Sequence, residues 1–369
     1  MNILIAANYG APKSGNFIAS LIALARKIRK EGSNVSFVFP KQTDWINWFI
    51  DEGFEIRIFN PEDKTVDEQF AWLNEIIKKD SIDIVHTHFG MFRKAILKNR
   101  KEIKKVKVIV HDHMDLYMGT NYALQRLGFV FISLIYSLKN ISVITVNKRK
   151  KFNYFFLKNK WFIPNGLSLE RHLSHSATRE ESRKELNLSP NEKVCFLLGY
   201  DLKGKGLDIA LKAVEKCRET DKNIILGIIG AGELAPTECT KDFIRTETGI
   251  DPNEPWIRFF KSHEDMFAVH RAIDVYISAS RKEAFSYGLL EAISQNTPIV
   301  VSDINGTKWS SEFSNSHFYP VENPDKCSEA IFEALERGRC KSNYKTVVSH
   351  YSVDTWCDKI FEVYNKIYS

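Results

Sequence analysis

The amino-acid sequence predicts an α/β fold in which two parallel-sheet domains face each other across a cleft. Short apolar runs alternate with amphipathic stretches along all 369 residues, which is typical of strands that alternate with helices. The alternation runs twice, once on each side of a Pro-Asn-Gly run at 164–166. Several runs are apolar throughout, as expected for strands that are buried on both faces.

The expected strands are short apolar segments, and amphipathic stretches such as Phe17–Arg29 and Val66–Lys79 predict the helices between them. In the first half, the expected strands are Ile3–Ala7, Val35–Phe39, Glu55–Phe59, Ile82–His86, Val106–His111 and Ser142–Val146. In the second half, they are Val194–Leu198, Ile224–Ile229, Ile257–Phe259, Val275–Ile277 and Ile299–Val301.

The domain junction is predicted at about 165–190, because Ile163–Gly166 suits a turn and the polar segment Ser174–Lys193 follows it. We therefore expect one Rossmann-like domain over 1–168 and a second over 169–351. A last amphipathic stretch at about 352–369 has no obvious strand partner, and we expect it to pack back on the first domain.

Cysteine use and hydropathy exclude several classes of protein. The six cysteines form no C-x-x-C pair, which argues against a zinc site or a disulfide framework and for reduced thiols in the cytoplasm. The N-terminus lacks a basic region and reads as a strand, not as a signal peptide. The longest apolar run, Leu127–Leu138, is far shorter than the roughly 20 residues of a membrane-spanning helix.

Positive charge is concentrated between residues 92 and 160, which hold 16 basic and 3 acidic residues in a chain of net charge +6. Arg93–Lys107 and Asn147–Lys151 mix cations with neighbouring aromatic residues, which suits an anionic membrane surface. The aromatic residues are Phe152, Tyr154, Phe155, Phe156 and Trp161. The alternatives are a solvated face, a buried core for Phe155 and Phe156, or nucleic acid, for which no binding module is recognisable.

The most informative motif runs from Glu283 to Glu291 in the sequence Glu-Ala-Phe-Ser-Tyr-Gly-Leu-Leu-Glu. It follows an expected strand and a Ser-rich loop, and we expect a helix from near 284 to about Gln295 with Glu291 two turns inside it. The N–H groups at such a helix start suit a diphosphate, and the two carboxylates can grip different parts of one ligand. Two surface glutamates are the alternative, but the context that continues into Thr297–Val301 is more specific than their spacing.

A second candidate loop, Gly199–Asp208, follows a buried-type strand and opens a helix. A lysine there, Lys205 or Lys203, can neutralise a leaving diphosphate without a metal, although loop lysines are usually plain surface residues. In the first half, Gly10–Asn16 joins the first strand to its helix, and glycine there allows close approach to phosphate. Neither the G-x-G-x-x-G fingerprint nor a P-loop is present.

These motifs resemble those of the GT-B-fold retaining glycosyltransferases of family 4, and the resemblance spans essentially the full chain. The segments that carry it are the Glu283–Glu291 motif, Asp83–His88, Ile163–Gly166, Lys205–Asp208 and Gly230–Glu233. The resemblance implies that Glu283 faces the donor sugar and that Glu291 binds the ribose hydroxyls.

The resemblance also implies how the donor diphosphate is held. The first helical turn, with Ser286, Tyr287, Gly288 and Leu289, would bind it through backbone amides, and Lys205 matches the family's Lys-Gly position. Tyr200 stands where the family often has Arg, so Lys203 is the substitute cation. In the first half, Gly15 and Asn16 would lie over the donor phosphates, and His111 would lie near the sugar.

We expect no metal and no other cofactor. His113 with His86 and His88 suggests a metal cluster, but His86-Thr87-His88 alternates across a strand and the resembled family does not require a metal. No D-x-D motif, which metal-dependent transferases of the other common fold use, is present.

The expected activity is transfer of a sugar from a nucleotide-diphosphate sugar, with UDP favoured, to a glycan or lipid-linked acceptor in bacterial surface polysaccharide synthesis. The expected enzyme is of the hexosyl or N-acetylhexosaminyl type, cytoplasmic and peripheral on the inner face of the plasma membrane. The alternatives are a catalytically silent subunit of the same fold and a sugar-nucleotide epimerase.

Overall fold

The computed structural model describes residues 1–113, 122–148, 154–169, 178–230, 237–261, 266–340 and 343–369, with the side chains of 122–127 left aside. The chain divides into two compact units. Unit 1 comprises Met1–Ser168 and Tyr351–Ser369, and unit 2 comprises Leu169–His350.

Unit 1 is built on a seven-stranded parallel sheet with the strand order β3-β2-β1-β4-β5-β6-β7. Its strands are β1 Asn2–Ala7, β2 Asn34–Phe39, β3 Glu55–Ile58, β4 Ile84–His88, β5 Lys107–Asp112, β6 Ile141–Thr145 and β7 Lys160–Phe162. Its helices before the junction are α1 Gly15–Lys30, α2 Asn47–Asp51, α3 Val66–Lys79, α4 Arg93–Asn99 and α5 Tyr122–Leu138.

Unit 2 repeats the design with a six-stranded parallel sheet in the order β10-β9-β8-β11-β12-β13. Its strands are β8 Lys193–Leu198, β9 Ile224–Ile229, β10 Ile257–Phe260, β11 Val275–Ser278, β12 Ile299–Ser302 and β13 Ser316–Tyr319. Its helices are α6 Arg179–Glu185, α7 Leu207–Thr220, α8 Glu238–Thr248, α9 Met266–Ala272, α10 Tyr287–Ser294 and α11 Pro324–Arg337, and α12 Asn343–Tyr351 ends at the boundary with unit 1.

The prediction of two parallel-sheet α/β domains is confirmed, with small errors in strand position. The helix Val66–Lys79 has its predicted bounds, and Thr65 and Glu68 form a reciprocal capping box at its start. Strand β4 begins two residues later than expected, so His88 lies inside it. Strands β7 and β13 escaped prediction because they are short and only partly buried, without a continuous apolar run.

The interior of each unit is apolar, and the central strands are buried almost completely. Every residue of β4, β6, β9, β11 and β12 is buried, as expected for parallel strands that helices cover on both faces. All six cysteines are free thiols. Within the described part of the chain, no helix combines the length and the apolar character that crossing a membrane requires.

Each sheet has one topological switch point, where the strand order reverses direction. Strand β1 lies beside β4, and strand β8 lies beside β11, so the loops that leave these neighbours diverge to opposite sides. Ligands of open parallel sheets bind in this crevice, beyond the carboxyl ends of the strands. Lys203, Lys205 and Glu283 of unit 2 lie on loops that begin there, and in unit 1 the loop after β1 leads to Gly15 and Asn16, whereas His111 lies on β5.

The C-terminal helix α13, Val353–Tyr368, belongs to unit 1 and is joined to it by backbone contacts at the Pro-Asn-Gly segment. The Leu167 N–H donates to the Tyr351 carbonyl (2.7 Å), and the Val353 N–H donates to the Leu167 carbonyl (2.9 Å). Gly166 lies so close to the start of α13 that an added Cβ would be 2.6 Å from the Cβ of Trp356.

We therefore predict that Gly166→Ala destabilises unit 1 by about 1–3 kcal/mol, because the new methyl group overlaps Trp356 and the backbone of Val353. Gly128→Ala is the matched control: it lies on helix α5 with no atom within 4 Å of the added Cβ. That control should gain about 0.5–1 kcal/mol from helix propensity. Urea unfolding followed by tryptophan fluorescence measures both changes, and an unchanged midpoint for Gly166→Ala would contradict the contact.

Candidate active site

The centre of the candidate site in unit 2 is an ion pair between two neighbouring loops. Lys205 lies on the loop after β8, Glu283 lies on the loop after β11, and the two strands are adjacent in the sheet. The Lys205 Nζ is 2.6 Å from the Glu283 Oε2, with side-chain exposures of 33% and 15%. The structure thus brings together the lysine and the acid that the sequence proposed separately.

Two glycines allow the backbones to approach closely enough for this pair. Gly206, at φ +71°, lies where a Cβ would be 2.1 Å from the Ala279 carbonyl oxygen. Gly306 lies where a Cβ would be 1.5 Å from the carbonyl oxygen of Glu283 itself. No side chain fits at either position. Sequence reasoning missed Gly306, because a glycine after a strand gives no sign of which distant backbone it touches.

The helix that follows Glu283 begins later in the chain than predicted. Helix α10 starts at Tyr287, so Glu291 lies just over one turn inside it instead of two turns. Ser286 is the N-cap, and its Oγ accepts a hydrogen bond from the Leu289 N–H (3.3 Å). The Leu289 amide, which the resemblance offers to the diphosphate, is therefore engaged by the cap.

Tyr276 on β11 lies near both carboxylates of the motif, although the sequence did not single it out. Its ring is fully buried, and a Cβ on Gly288 would be 2.5 Å from its hydroxyl oxygen. Burial raises the pKa of Tyr276, and the negative charges of Glu291 and Glu283 raise it further. The tyrosine hydroxyl thus lies within the electrostatic reach of both glutamates and under the first turn of α10.

Glu291 is nearly buried rather than a surface residue. Its Oε2 is 3.5 Å from the Nε2 of His270, which is fully buried on α9, and its side chain is 11% exposed. The backbone of that histidine is fixed in turn: its carbonyl accepts from the Thr297 hydroxyl (2.6 Å) and from Arg339 (2.9 Å). The second acid of the motif therefore lies beside the end of α9, a neighbour that no local pattern revealed.

Lys203, the substitute cation of the prediction, is placed in a different ion-pair network. Its Nζ is 2.5 Å from Glu247 and 3.7 Å from Asp208, and the bond with Glu247 raises its pKa. Arg281 occupies the same network through Asp208 (2.7 Å) and Glu322 (2.8 Å). Arg281 also donates to the Lys203 carbonyl, so it ties the two loops together, and the sequence analysis did not identify it.

In unit 1, the start of helix α1 contains Gly15 and Asn16. Gly15 is its first residue, at φ +56°, and Asn16 is 5% exposed. The next residue, Phe17, packs its ring against His88 (5.4 Å between centroids) and His113 (5.5 Å). The loop after β1 and the histidines of β4 and β5 therefore belong to one site in unit 1.

The histidines form a compact buried group. His88 is paired with His111 across the β4–β5 register, and the rings of His86 and His88 are 4.3 Å apart. The two residues are two positions apart on one strand, so they share a face. The expected alternation across the strand therefore gives no argument against a cluster, although the absence of metal stays a prediction.

A chain of hydrogen bonds couples the ring protons of His86 and His111. The Tyr364 hydroxyl of α13 is 2.7 Å from the His86 Nδ1, and the His86 Nε2 is 3.2 Å from the His111 Nδ1. Burial raises the pKa of Tyr364, so the phenol stays neutral. A neutral phenol can donate or accept, and the His111 Nε2 is a donor in one direction of the chain and an acceptor in the other.

Two ring nitrogens of the histidine group are available to form a further hydrogen bond. Within the described residues, the Nε2 atoms of His88 and His111 are buried and have no hydrogen-bond partner. The His88 Nδ1 is 2.8 Å from the His113 Nε2. A buried polar group without a partner is costly, so these atoms suit an oxygen of a bound molecule.

The same group is the candidate metal site of the described residues. One nitrogen from each of His86, His88 and His111 lies within 4.8 Å of the others. Zinc requires nitrogens about 2.0–2.1 Å from the ion. Because the His86 Nε2 is already 3.2 Å from the His111 Nδ1, metal binding would break that hydrogen bond.

Each unit is a doubly wound parallel sheet with candidate ligand residues near its topological switch point. Two such units define the GT-B class of glycosyltransferase folds. A solved glycosyltransferase from Rickettsia africae matches 99% of this chain and 98% of its own, with a TM-score of 0.79 and 17% identity. Anabaena Alr3699/HepE in complex with UDP-glucose matches 99% of this chain and all of its own, with a TM-score of 0.78 and 14% identity. These likenesses establish the fold.

A sequence comparison adds to the likeness of fold. Residues 178–346, which lie in unit 2, match the family described as glycosyl transferases group 1, in agreement with the resemblance noted in the sequence. The putative teichuronic acid biosynthesis glycosyltransferase TuaC of Bacillus subtilis is 24% identical over 275 residues, 72% of this chain. The match covers 64% of that relative, so the chain spans less than two thirds of its length.

We predict that unit 1 loses stability steeply below pH 6.5. Burial lowers the pKa of His86 to about 3 and lowers the pKa values of His88 and His111 well below their usual range. The unfolded chain takes up protons below pH 6.5 while the folded unit does not, so stability falls as pH falls. The slope should approach about 1.4 kcal/mol per pH unit for each histidine, or about 4 for all three.

Urea unfolding between pH 7 and pH 4 measures this slope. His88→Phe should reduce it by about one third, because one of the three buried imidazoles is removed. The control His350→Ala alters an exposed histidine of unit 2 and should leave the slope of unit 1 unchanged. A pH-independent midpoint for the unaltered protein would contradict the buried neutral histidines.

Proposed function

We propose that this protein is a retaining glycosyltransferase that moves a sugar from a nucleotide-diphosphate sugar to a hydroxyl group of its acceptor. A UDP-sugar is the favoured donor, and the transferred group is of the hexosyl or N-acetylhexosaminyl type. The acceptor is a glycan or a lipid-linked acceptor of bacterial surface polysaccharide synthesis. The observation that carries the proposal is the Lys205–Glu283 pair beside the start of α10, inside the group 1 region.

The pair supplies charge where a diphosphate leaves. The lysine ammonium has three donors, so Lys205 can keep its bond to Glu283 and donate to a phosphate oxygen at the same time. The N-terminus of α10 adds the partial positive charge of a helix start close to Gly288. Donors that are fixed in place before the reaction stabilise developing charge without reorganisation.

The reaction proceeds with balanced bonds and protons. The acceptor oxygen forms a bond to the anomeric carbon while the bond from that carbon to the diphosphate oxygen breaks. The electron pair of the broken bond stays on the diphosphate, and that oxygen takes the proton of the acceptor hydroxyl. Both oxygens lie on the same face of the sugar, so the configuration is retained.

Glu283 orients the sugar rather than attacking it in this mechanism, because its carboxylate is held by Lys205. Glu291, fixed beside His270, accepts hydrogen bonds from the ribose hydroxyls of the donor. In unit 1, the buried His111 Nε2 is available for one hydrogen bond to the donor, and Gly15 and Asn16 lie at a second helix start. Lys203 lies on the same loop as Lys205 and would serve as the second cation by leaving its pair with Glu247.

The acceptor class is supported by the name of a relative. The B. subtilis protein is named as a putative glycosyltransferase of teichuronic acid biosynthesis. The UDP-glucose in the complex of the Anabaena protein supports a UDP-sugar as donor.

We predict that Lys205→Ala and Glu283→Ala each lower turnover about 10²- to 10³-fold, since each removes a fixed group around the reacting centre. Lys216→Ala is the matched control: its Nζ is also 2.6 Å from a carboxylate, that of Asp325, but the pair is exposed. The measurement is release of nucleoside diphosphate, with circular dichroism to verify folding. Activity near that of the unaltered protein in either site variant would refute the assignment.

A further prediction concerns which nucleotide sugar is the donor and whether donor binding needs a metal ion. UDP-glucose and UDP-N-acetylglucosamine should raise the unfolding midpoint of the protein more than GDP-, dTDP- or ADP-sugars at the same concentration. The rise and the turnover should survive a chelator, because Lys205 and the helix start supply the positive charge. Loss of donor binding after chelation, restored by Mg²⁺ or Mn²⁺, would contradict the metal-independent mechanism.

A further inference from the structure

Helix α5 carries an apolar face that the protein leaves exposed. Val130, Phe131, Leu134 and Leu138 are 40%, 63%, 39% and 78% exposed. These positions recur at intervals of three and four residues, so they lie along one side of the helix. From Leu127 to Leu138 the helix has no charged residue, whereas the outer face of a surface helix is normally polar.

The opposite side of α5 is packed into unit 1, so the exposed face is well defined. Phe129, Ser133 and Tyr136 are buried, and both aromatic rings pack on Tyr154. The helix therefore presents its apolar face outwards from a fixed position in the core. Contiguous exposed apolar surface of this kind usually marks an interaction site.

Two further aromatic residues extend this face. Phe155 and Phe156 are 73% and 43% exposed, and their rings are 5.5 Å apart at right angles. The Phe156 N–H donates to the Ser133 hydroxyl of α5 (2.9 Å), which holds this segment against the helix. We call the exposed residues together the α5 surface: Val130, Phe131, Leu134, Leu138, Phe155 and Phe156.

Basic residues border the α5 surface at the end of the helix. The buried guanidinium of Arg100 donates to the carbonyls of Lys139 and Asn140, which follow α5. It also donates to the carbonyls of Ile103 and Val106, so it fixes the loop 101–106 beside the helix end. Lys101, Lys104 and Lys105 on that loop are exposed, as is Lys158 after the aromatic pair.

We propose that the α5 surface docks unit 1 on an anionic lipid bilayer. The apolar side chains enter the boundary between headgroups and acyl chains, and the lysines at the rim contact the lipid phosphates. A cationic rim around aromatic and aliphatic residues is the composition of a helix that lies in the plane of a membrane. Charge complementarity favours this occupant, because residues 92–160 hold 16 basic and only 3 acidic residues.

This proposal goes beyond the proposed function, since it uses none of the residues assigned to the donor or to the transfer step. It also departs in part from the basic-aromatic hypothesis of the sequence. Tyr154 is buried, Lys160 donates to the Tyr154 carbonyl (2.6 Å), and residues 149–153, including Phe152, lie outside the described residues. The apolar face of α5 takes the place of those residues.

The test is co-sedimentation with vesicles of phosphatidylcholine alone and of phosphatidylcholine mixed with phosphatidylglycerol. We expect at least about tenfold tighter binding to the anionic vesicles and a loss of binding at high salt. Phe131→Gln combined with Leu138→Gln should reduce binding about tenfold or more, because the inserted apolar area is lost.

Two matched controls distinguish binding through the α5 surface from non-specific hydrophobic binding and from non-specific electrostatic attraction. Trp48→Gln with Ile50→Gln alters two residues of similar exposure on α2 of the same unit and should leave binding unchanged. Lys104→Glu with Lys105→Glu should weaken binding to anionic vesicles, whereas Lys78→Glu with Lys79→Glu at the end of α3 should weaken it much less.

The proposal is overturned if the unaltered protein binds neither kind of vesicle, or if the α2 control loses as much affinity as the α5 variant. It is also overturned if the protein is a dimer that the α5 variant separates into monomers and that binds no vesicles, since a second copy would then cover this face. Release of nucleoside diphosphate in the absence of lipid should be unchanged in the α5 variant. That readout distinguishes failure of this proposal from failure of the proposed glycosyl transfer.

Discussion

The ion pair between Lys205 and Glu283 depends on a constraint that reaches through the whole of unit 2: two adjacent parallel strands must deliver their loops to the same place. Gly206 lies against Ala279 of the neighbouring loop, and Gly306, on the loop after β12, lies against the carbonyl of Glu283. A side chain at either glycine would push the lysine loop or the acid loop away. The charged centre is therefore a property of the sheet and its turns as much as of the two residues that form it.

The two charges of the central pair are stabilised before any ligand arrives, because Lys205 and Glu283 neutralise one another in a partly buried position. Removing one partner of such a pair leaves an uncompensated charge, which is more damaging than removing an exposed pair. The buried histidines of unit 1 differ from this pair, because burial keeps them uncharged. The folding stability of unit 1 is therefore sensitive to acid.

The α5 surface answers a different requirement from the two sites. A helix with charged residues on its outer face would serve folding equally well, because α5 is anchored through its inner face, which includes Phe129, Ile132 and Tyr136. Folding therefore does not require the exposed Phe131 and Leu138, which fit a role outside folding. Arg100 connects this surface to the lysine-rich loop, so one buried side chain sets the distance between the apolar face and its basic rim.

The sequence by itself determined the alternation of strands and helices, the two sheets and the Glu283–Glu291 motif, because these are local periodic patterns. The face of the histidines was predicted wrongly, because residues two apart on a strand share a face and β4 extends to His88, so that His86 and His88 are neighbours on one buried face. Only the tertiary structure decided that Lys203 pairs with Glu247, that Gly306 supports Glu283, and that Tyr364 bonds to His86 from 278 residues away. Such contacts join segments that are distant in the chain, and a single sequence carries no periodic signal for a partner that only the folded sheet brings near.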